Sequence, residues 1–146
     1  MISVDANILL YSYCEASPFH SVAKNFIQSL ANKEDVALSE FVLSEFYLHL
    51  RNPAVLDSPL TPLNAVEVIE SFRQHPLWQV LGFPPHSQSL HKKLWKAAAS
   101  QNFARRRIYD LRIALCLQAF GVTEFATANV KDFEDTGFSK VWNPLA

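Results

Sequence analysis

The chain has 146 residues, 49% of them hydrophobic and 18% charged, with a formal net charge of −1. That length and balance predict one compact domain whose core needs no staples, and they exclude a disordered chain. Only 3 glycines argue against a glycine-rich phosphate loop or dinucleotide fingerprint, and the near-zero charge means that a nucleic-acid partner would need a local basic patch.

Cys14 and Cys116 lie in apolar surroundings without zinc-site spacing and read as free core thiols. No charged leader precedes an apolar run, and no run approaches the roughly 20 residues of a membrane span. The expectation is a cytoplasmic protein with no membrane association.

In chain order, Ile2-Ser3-Val4 opens as a very short strand that runs into Asp5, and Ile8 to Tyr13 reads as a helical turn or two. An acid at the end of an apolar strand is expensive unless something pairs with it. Asn7, two residues on, is placed to orient that carboxylate through local hydrogen bonds. Ser17-Pro18 predicts a helix start, and Phe19, Val22, Ala23, Phe26, Ile27 and Leu30 then recur at helical spacing. Val36 to Leu38 is a second short strand. Ser39 is the expected cap of a helix from Glu40 to about Leu50. Glu40 in its first turn suits the helix dipole. Glu45 has no such excuse: it shares a face with the apolar Phe41 and Leu48.

Thr61-Pro62 starts another helix through Leu63, Val66, Ile69 and Phe72, and Trp78 to Leu81 is a third strand. After Pro84-Pro85 a helix passes Leu90, Leu94, Trp95 and Ala98 to about Phe103. A further helix runs from about Asp110 to Phe120, apolar inside except for Arg112 and Gln118, and ends at Gly121 in the expected left-handed cap. A short interior strand near Glu124 to Thr127 leads to Asn129 and Asp132, and Lys140 to Pro144 reads as a final edge strand. Strands alternating with helices predict a three-layer α/β/α fold with a short, mainly parallel sheet. Ligands of such folds lie at the carboxyl ends of the strands, where Asp5, Glu45, Asp110 and Asn129 can converge.

Carboxylates crowded into one cleft raise each other's pKa unless cations arrive. Mg²⁺ or Mn²⁺ suits such a set, and an ion held there can activate water and stabilise in-line phosphodiester hydrolysis, with a second ion ~3.5–4 Å away in two-metal sites. Four strings carry a resemblance: VDANILLY (Val4–Tyr11), LSEFVLSEFYLHL (Leu38–Leu50), YDLRIAL (Tyr109–Leu115) and TANVKDF (Thr127–Phe133). In this order and spacing, over nearly the whole chain, they resemble the motifs of the PIN domain, and most closely the VapC-type toxins of toxin–antitoxin pairs.

The resemblance implies an Mg²⁺- or Mn²⁺-dependent ribonuclease with Asp5, Glu45 and Asp110 as acidic metal ligands. It implies that Asn7 and Thr127 orient the site, and that Asn129 stands where many relatives carry a fourth acid, which leaves Asp132 as a candidate for a second ion. A homodimer and a cognate antitoxin that plugs the cleft follow from the same likeness. The rival reading is a catalytically silent PIN-like module that binds RNA or protein, with Asn129 as the mark of a degraded site. For Arg105-Arg106-Arg107 three readings stand: a solvated face, contacts to RNA phosphates, or pairing with the site carboxylates.

Overall fold

A computed structural model describes residues 1–146. Its centre is a five-stranded sheet in the order β3-β2-β1-β4-β5, every neighbouring pair parallel. The strands are β1 (Ile2–Val4), β2 (Val36–Ser39), β3 (Gln79–Leu81), β4 (Glu124–Ala126) and β5 (Lys140–Trp142). Strands covered on both faces carry continuous apolar runs, and all four residues of β2 are buried. The interior strand expected near residue 124 is β4, seated between β1 and β5, and β5 is the expected edge.

Seven helices join the strands: α1 (Ala6–Tyr13), α2 (His20–Ser29), α3 (Glu40–Leu50), α4 (Pro62–Arg73), α5 (Ser87–Ala98), α6 (Arg107–Ala119) and α7 (Val130–Phe133). They form two packing groups. One has α1 against α2 and α3, and α3 against α4; the other has α6 against α5 and α7. With the sheet between them, these are the layers of an α/β arrangement. The core runs through Val4, Ile8, Leu38, Phe46, Leu117 and Phe125, all under 2% exposed. Each such side chain contributes about 1.5–3 kcal/mol when taken out of water. No helix is long and apolar enough to cross a membrane.

Several ends differ from the sequence reading. Ser17 caps a preceding turn, its hydroxyl accepting from the Phe19 amide at 3.1 Å, and α2 proper begins at His20. Only Ala23 of the expected apolar stripe lies fully buried inside α2, while Phe19 and Val22 remain 43% and 46% exposed. Helix α5 stops at Ala98, where the chain passes into Ser100-Gln101-Asn102, which offers no apolar face to bury and has side chains that compete for backbone groups. Helix α6 begins at Arg107, three residues before Asp110. Nothing in Arg107-Ile108-Tyr109 opposes a helix, so Asp110 stands within the first turn rather than at its start. Gly121, at φ 91°, takes the left-handed conformation expected after that helix.

Candidate active site

The chain runs β1, β2, β3 to one side of β1 and then crosses to β4 and β5 on the other. The direction of winding therefore reverses between β1 and β4, the position where open α/β sheets leave a crevice at their carboxyl ends. Register places Val4 beside Ala126, so the next residues, Asp5 and Thr127, emerge together. Here the sheet stops and the polar groups begin.

Asp5 caps α1, its Oδ1 accepting from the Ala6 amide at 2.8 Å. Its Oδ2 accepts from the Thr127 hydroxyl at 2.6 Å and from Asn7 Nδ2 at 3.3 Å. Asn7 Oδ1 in turn accepts from the Ala128 amide at 3.2 Å, and Thr127 Oγ1 accepts from the Asn129 amide at 3.0 Å. Asn7 and Thr127 thus tie the ends of β1 and β4 into one network that fixes the Asp5 carboxylate. Asp5 is only 5% exposed. Burial pushes its pKa up to about 6, and the Glu45 and Asp110 charges add to that, while the Thr127 and Ala6 hydrogen bonds pull the other way.

Beyond this network opens a cleft of about 960 Å³ between α3, α6 and the start of α7, which Asp5 itself does not line. Glu45 and Asp110 are on its wall, with Asn129 and Asp132. Glu45 rises from α3 with its side chain 48% exposed, 3.7 Å from His49 Nε2. Phe41 and Leu48, which share its face, line the same cleft, so the apolar setting expected for Glu45 is a cleft wall and not a core. Asp110 is half-buried. Its own burial lifts its pKa to about 6, the Asp132 and Glu45 charges reinforce the shift, and Arg107 and Arg106 oppose it. Glu45 and Asp110 therefore act electrostatically on Asp5 from the cleft wall, and Asp132 and Glu45 act on Asp110. No three His, Cys, Asp or Glu side chains close round a single point. Mutual repulsion of carboxylates favours that spread, and a divalent cation between them reverses its sign.

Asn129 is the exposed residue at the start of α7, and its side chain caps nothing there. Asp132 lies in α7 and faces Asp110 closely enough to be the strongest charge acting on it. The basic triplet divides. Arg105 is exposed and outside the cleft, whereas Arg106 and Arg107 are on its wall. Arg107 is held by Asp135 at 2.6 Å, which offsets a cation at a helix N-terminus.

Two cleft residues were not singled out from sequence. Tyr109 is 62% exposed beside Asp110, and Arg112 reaches the wall from inside the apolar run of α6. The signal for Arg112 was its being the only charge between Leu111 and Ala119.

In chemical terms the donors are hard oxygens, two of them disfavoured as anions until a cation compensates. That set fits Mg²⁺ or Mn²⁺ and is a poor fit to soft metals.

A family profile for the PIN domain matches residues 2–139. Over 145 residues the chain is 43% identical to Ribonuclease VapC24 of Mycobacterium tuberculosis strain H37Rv, across 99% of this chain and 97% of that protein. Its fold is similar to that of Mycobacterium tuberculosis VapC20, described as a Sarcin-Ricin loop cleaving toxin. The TM-score is 0.63 at 16% identity, over 86% of this chain and 87% of that one. VapBC2 from Rickettsia felis, solved with a DNA fragment from its promoter, superposes at TM-score 0.66 and 18% identity over 98% of each chain.

Proposed function

The chain belongs to the PIN-domain family, and we propose that it is a VapC-type endoribonuclease, the toxin of a toxin–antitoxin pair, that hydrolyses RNA phosphodiester bonds with Mg²⁺ or Mn²⁺. The observation that carries this reading is the electrostatic coupling of Asp5, Glu45 and Asp110. Burial and like charge raise both aspartates to about 6, and a bound divalent cation relieves that coupling.

Asp5, Glu45 and Asp110 would hold the ion, and Asp132, next to Asp110, would serve a second one. When bound, such an ion activates water and stabilises charge on the phosphoryl oxygens during in-line displacement. The protein's own part is orientation. Thr127 and Asn7 lock the Asp5 carboxylate through Oδ2, leaving Oδ1 with the Ala6 amide as its single partner. Asn129, as an amide at the cleft edge, would hold a water or a phosphate oxygen without adding charge. Arg106 and Arg107 steady Asp110 as an anion and would also draw the RNA backbone toward the acids, an intermediate between the readings open for the triplet.

The protein would act as one PIN-like domain in the cytoplasm, as a homodimer, with a cognate antitoxin covering the cleft; similarity to VapC24 and to VapBC2, a toxin–antitoxin complex by its name, supports the antitoxin.

The test is cleavage of a mixed RNA pool with Mg²⁺ or Mn²⁺, against EDTA and against Asp110→Asn. Divalent-dependent cutting that is lost in both controls is expected. Wild-type protein that takes up no Mn²⁺ in calorimetry and cuts no RNA would refute the nuclease and leave the binding module.

A further inference from the structure

Arg112 is the only charged residue between Leu111 and Ala119 of α6, and its neighbours Leu111, Ile113 and Ala114 are buried. Its stem is held among them while its head reaches the wall of the cleft. The Nε atom is shut off from solvent and meets no acceptor. No carboxylate pairs with it: the ion pairs of the chain are His49–Glu45, Arg73–Glu40, Arg73–Glu70 and Arg107–Asp135. An Nε so placed costs free energy, because a desolvated donor forfeits its hydrogen bond to water.

The other two arginines of the cleft have assignments. Arg107 is paired with Asp135, and Arg107 and Arg106 are the cations that hold Asp110 down. Arg112 instead makes its charge felt at the Cys116 thiol, which burial pushes up and Arg112 pulls down. In a cleft walled by Glu45, Asp110 and Asp132, Arg112 forms no ion pair, and of the three cleft arginines it alone has a buried nitrogen without a partner. Its guanidinium, on the cleft wall and in no ion pair with the chain, suits an oxyanion that arrives from outside.

We propose that Arg112 is the phosphate-binding residue of the cleft, donating through its guanidinium to the non-bridging oxygens of an RNA backbone phosphate. This rests on the nuclease reading above and names the residue that receives the strand. The planar fork of a guanidinium matches two phosphate oxygens at once, which a lysine ammonium cannot do. With that fork unpaired at the cleft wall, there is no internal ion pair to break when RNA enters.

The experiment measures binding of a fluorescein-labelled random-sequence RNA oligonucleotide by anisotropy over a KCl series. An Asp110→Asn parent is used so that the strand survives, and Arg112→Met and Arg112→Lys are compared with it. Lys33→Met, on the exposed turn after α2, is the charge-matched control. Arg112→Met is expected to weaken binding about tenfold or more, as loss of a charge-assisted hydrogen bond does, and to flatten the salt slope by about 0.7, the share of one phosphate contact on a single strand. Arg112→Lys should restore the slope but only part of the affinity, and Lys33→Met should change neither.

A second readout separates binding from architecture. Arg112→Met should melt no lower than its parent, since methionine fills the same apolar path without a stranded donor. It should also leave Mn²⁺ uptake intact when made in the wild-type chain. A salt slope equal to that of Lys33→Met, or lowered stability with RNA affinity intact, would overturn the assignment of Arg112 alone; the first of these is what an acidic protein segment as the true occupant would give. A parent that binds no RNA, together with wild-type protein that takes up no Mn²⁺, would overturn the nuclease reading with it.

Discussion

Asp5→Asn is expected to make the metal-free protein more stable at pH 8 while removing its response to Mn²⁺. Burial lifts the Asp5 pKa from 3.8 to about 6 in the fold. A carboxylate with a raised folded pKa contributes its stability below the unfolded value, near 3.8, and loses it as pH rises through about 6. At pH 8 the ionised side chain therefore costs the native state roughly 3 kcal/mol relative to its protonated form. Asparagine is free of that charge, but its one acceptor oxygen cannot serve both the Ala6 amide, as Oδ1 does, and the Asn7 and Thr127 donors, as Oδ2 does, which costs about 1 kcal/mol. The net gain of about 1–2 kcal/mol corresponds to a Tm higher by roughly 2–8 °C for a chain of this size. Near pH 4 the advantage disappears and the variant should melt slightly lower than wild type. Circular-dichroism melts in EDTA at pH 4 and pH 8 read both arms. Adding Mn²⁺ at about a hundred times its Kd should then stabilise wild type by about 2.7 kcal/mol and the variant far less. A variant that melts below wild type at pH 8 in EDTA, or an equal Mn²⁺ response in the two proteins, would refute the reasoning.

Two further outcomes follow from the same network. Mn²⁺ affinity should drop at least tenfold between pH 7.5 and pH 5, because Asp5 and Asp110 both titrate near 6 and the ion must displace their protons; calorimetry showing no pH dependence would count against both carboxylates as ligands. Thr127→Val should cost about 1–3 kcal/mol in urea unfolding, since it leaves the Asn129 amide without its acceptor and removes the shorter of the two hydrogen bonds to Asp5 Oδ2. Because that hydroxyl lowers the Asp5 pKa, its loss should also move the acid limb of the cleavage profile to higher pH, and an unmoved limb would mean that Thr127 does not tune Asp5.

How much of this was legible in sequence depended on whether a residue contradicted its surroundings. Asp5 did so, as an acid ending an apolar strand, and so did Glu45, as an acid facing Phe41 and Leu48 without a helix dipole to justify it. The strands were legible despite their three or four residues, because parallel strands buried on both faces are plain apolar runs bounded by polar groups. Helix ends were less so. Ser17 carries a capping signal and uses it in a turn that precedes α2, and the alanines before Ser100 are good helix formers without a side chain large enough to show where packing ends. The partition of the arginines was not legible at all. Arg105, Arg106 and Arg107 are alike in sequence, and only the approach of Asp135 and the direction of the cleft tell them apart. Arg112 was legible as the one charge in an apolar run, but its place on the cleft wall was not.

The site's energetics also bear on Asn129, the residue that could mark a catalytically silent member of the family. A scaffold that only binds a partner gains nothing from Asp5 as an anion: the neutral amide is nearly isosteric, is compatible with the Ala6 contact, and avoids the desolvation that raises the carboxylate to about 6. The chain instead spends Thr127 and Asn7 to hold that costly carboxylate in one orientation, and places Asp110 where Glu45 and Asp132 oppose its ionisation. Such local expense without structural return belongs to sites whose charge is completed by something else. Asn129 adds no fourth charge to this crowd, and Asp132 already supplies one from the same short helix. An amide at the cleft edge therefore lowers the repulsion among the acids without removing Asp5, Glu45 or Asp110. On these terms Asn129 is compatible with the metal site proposed above.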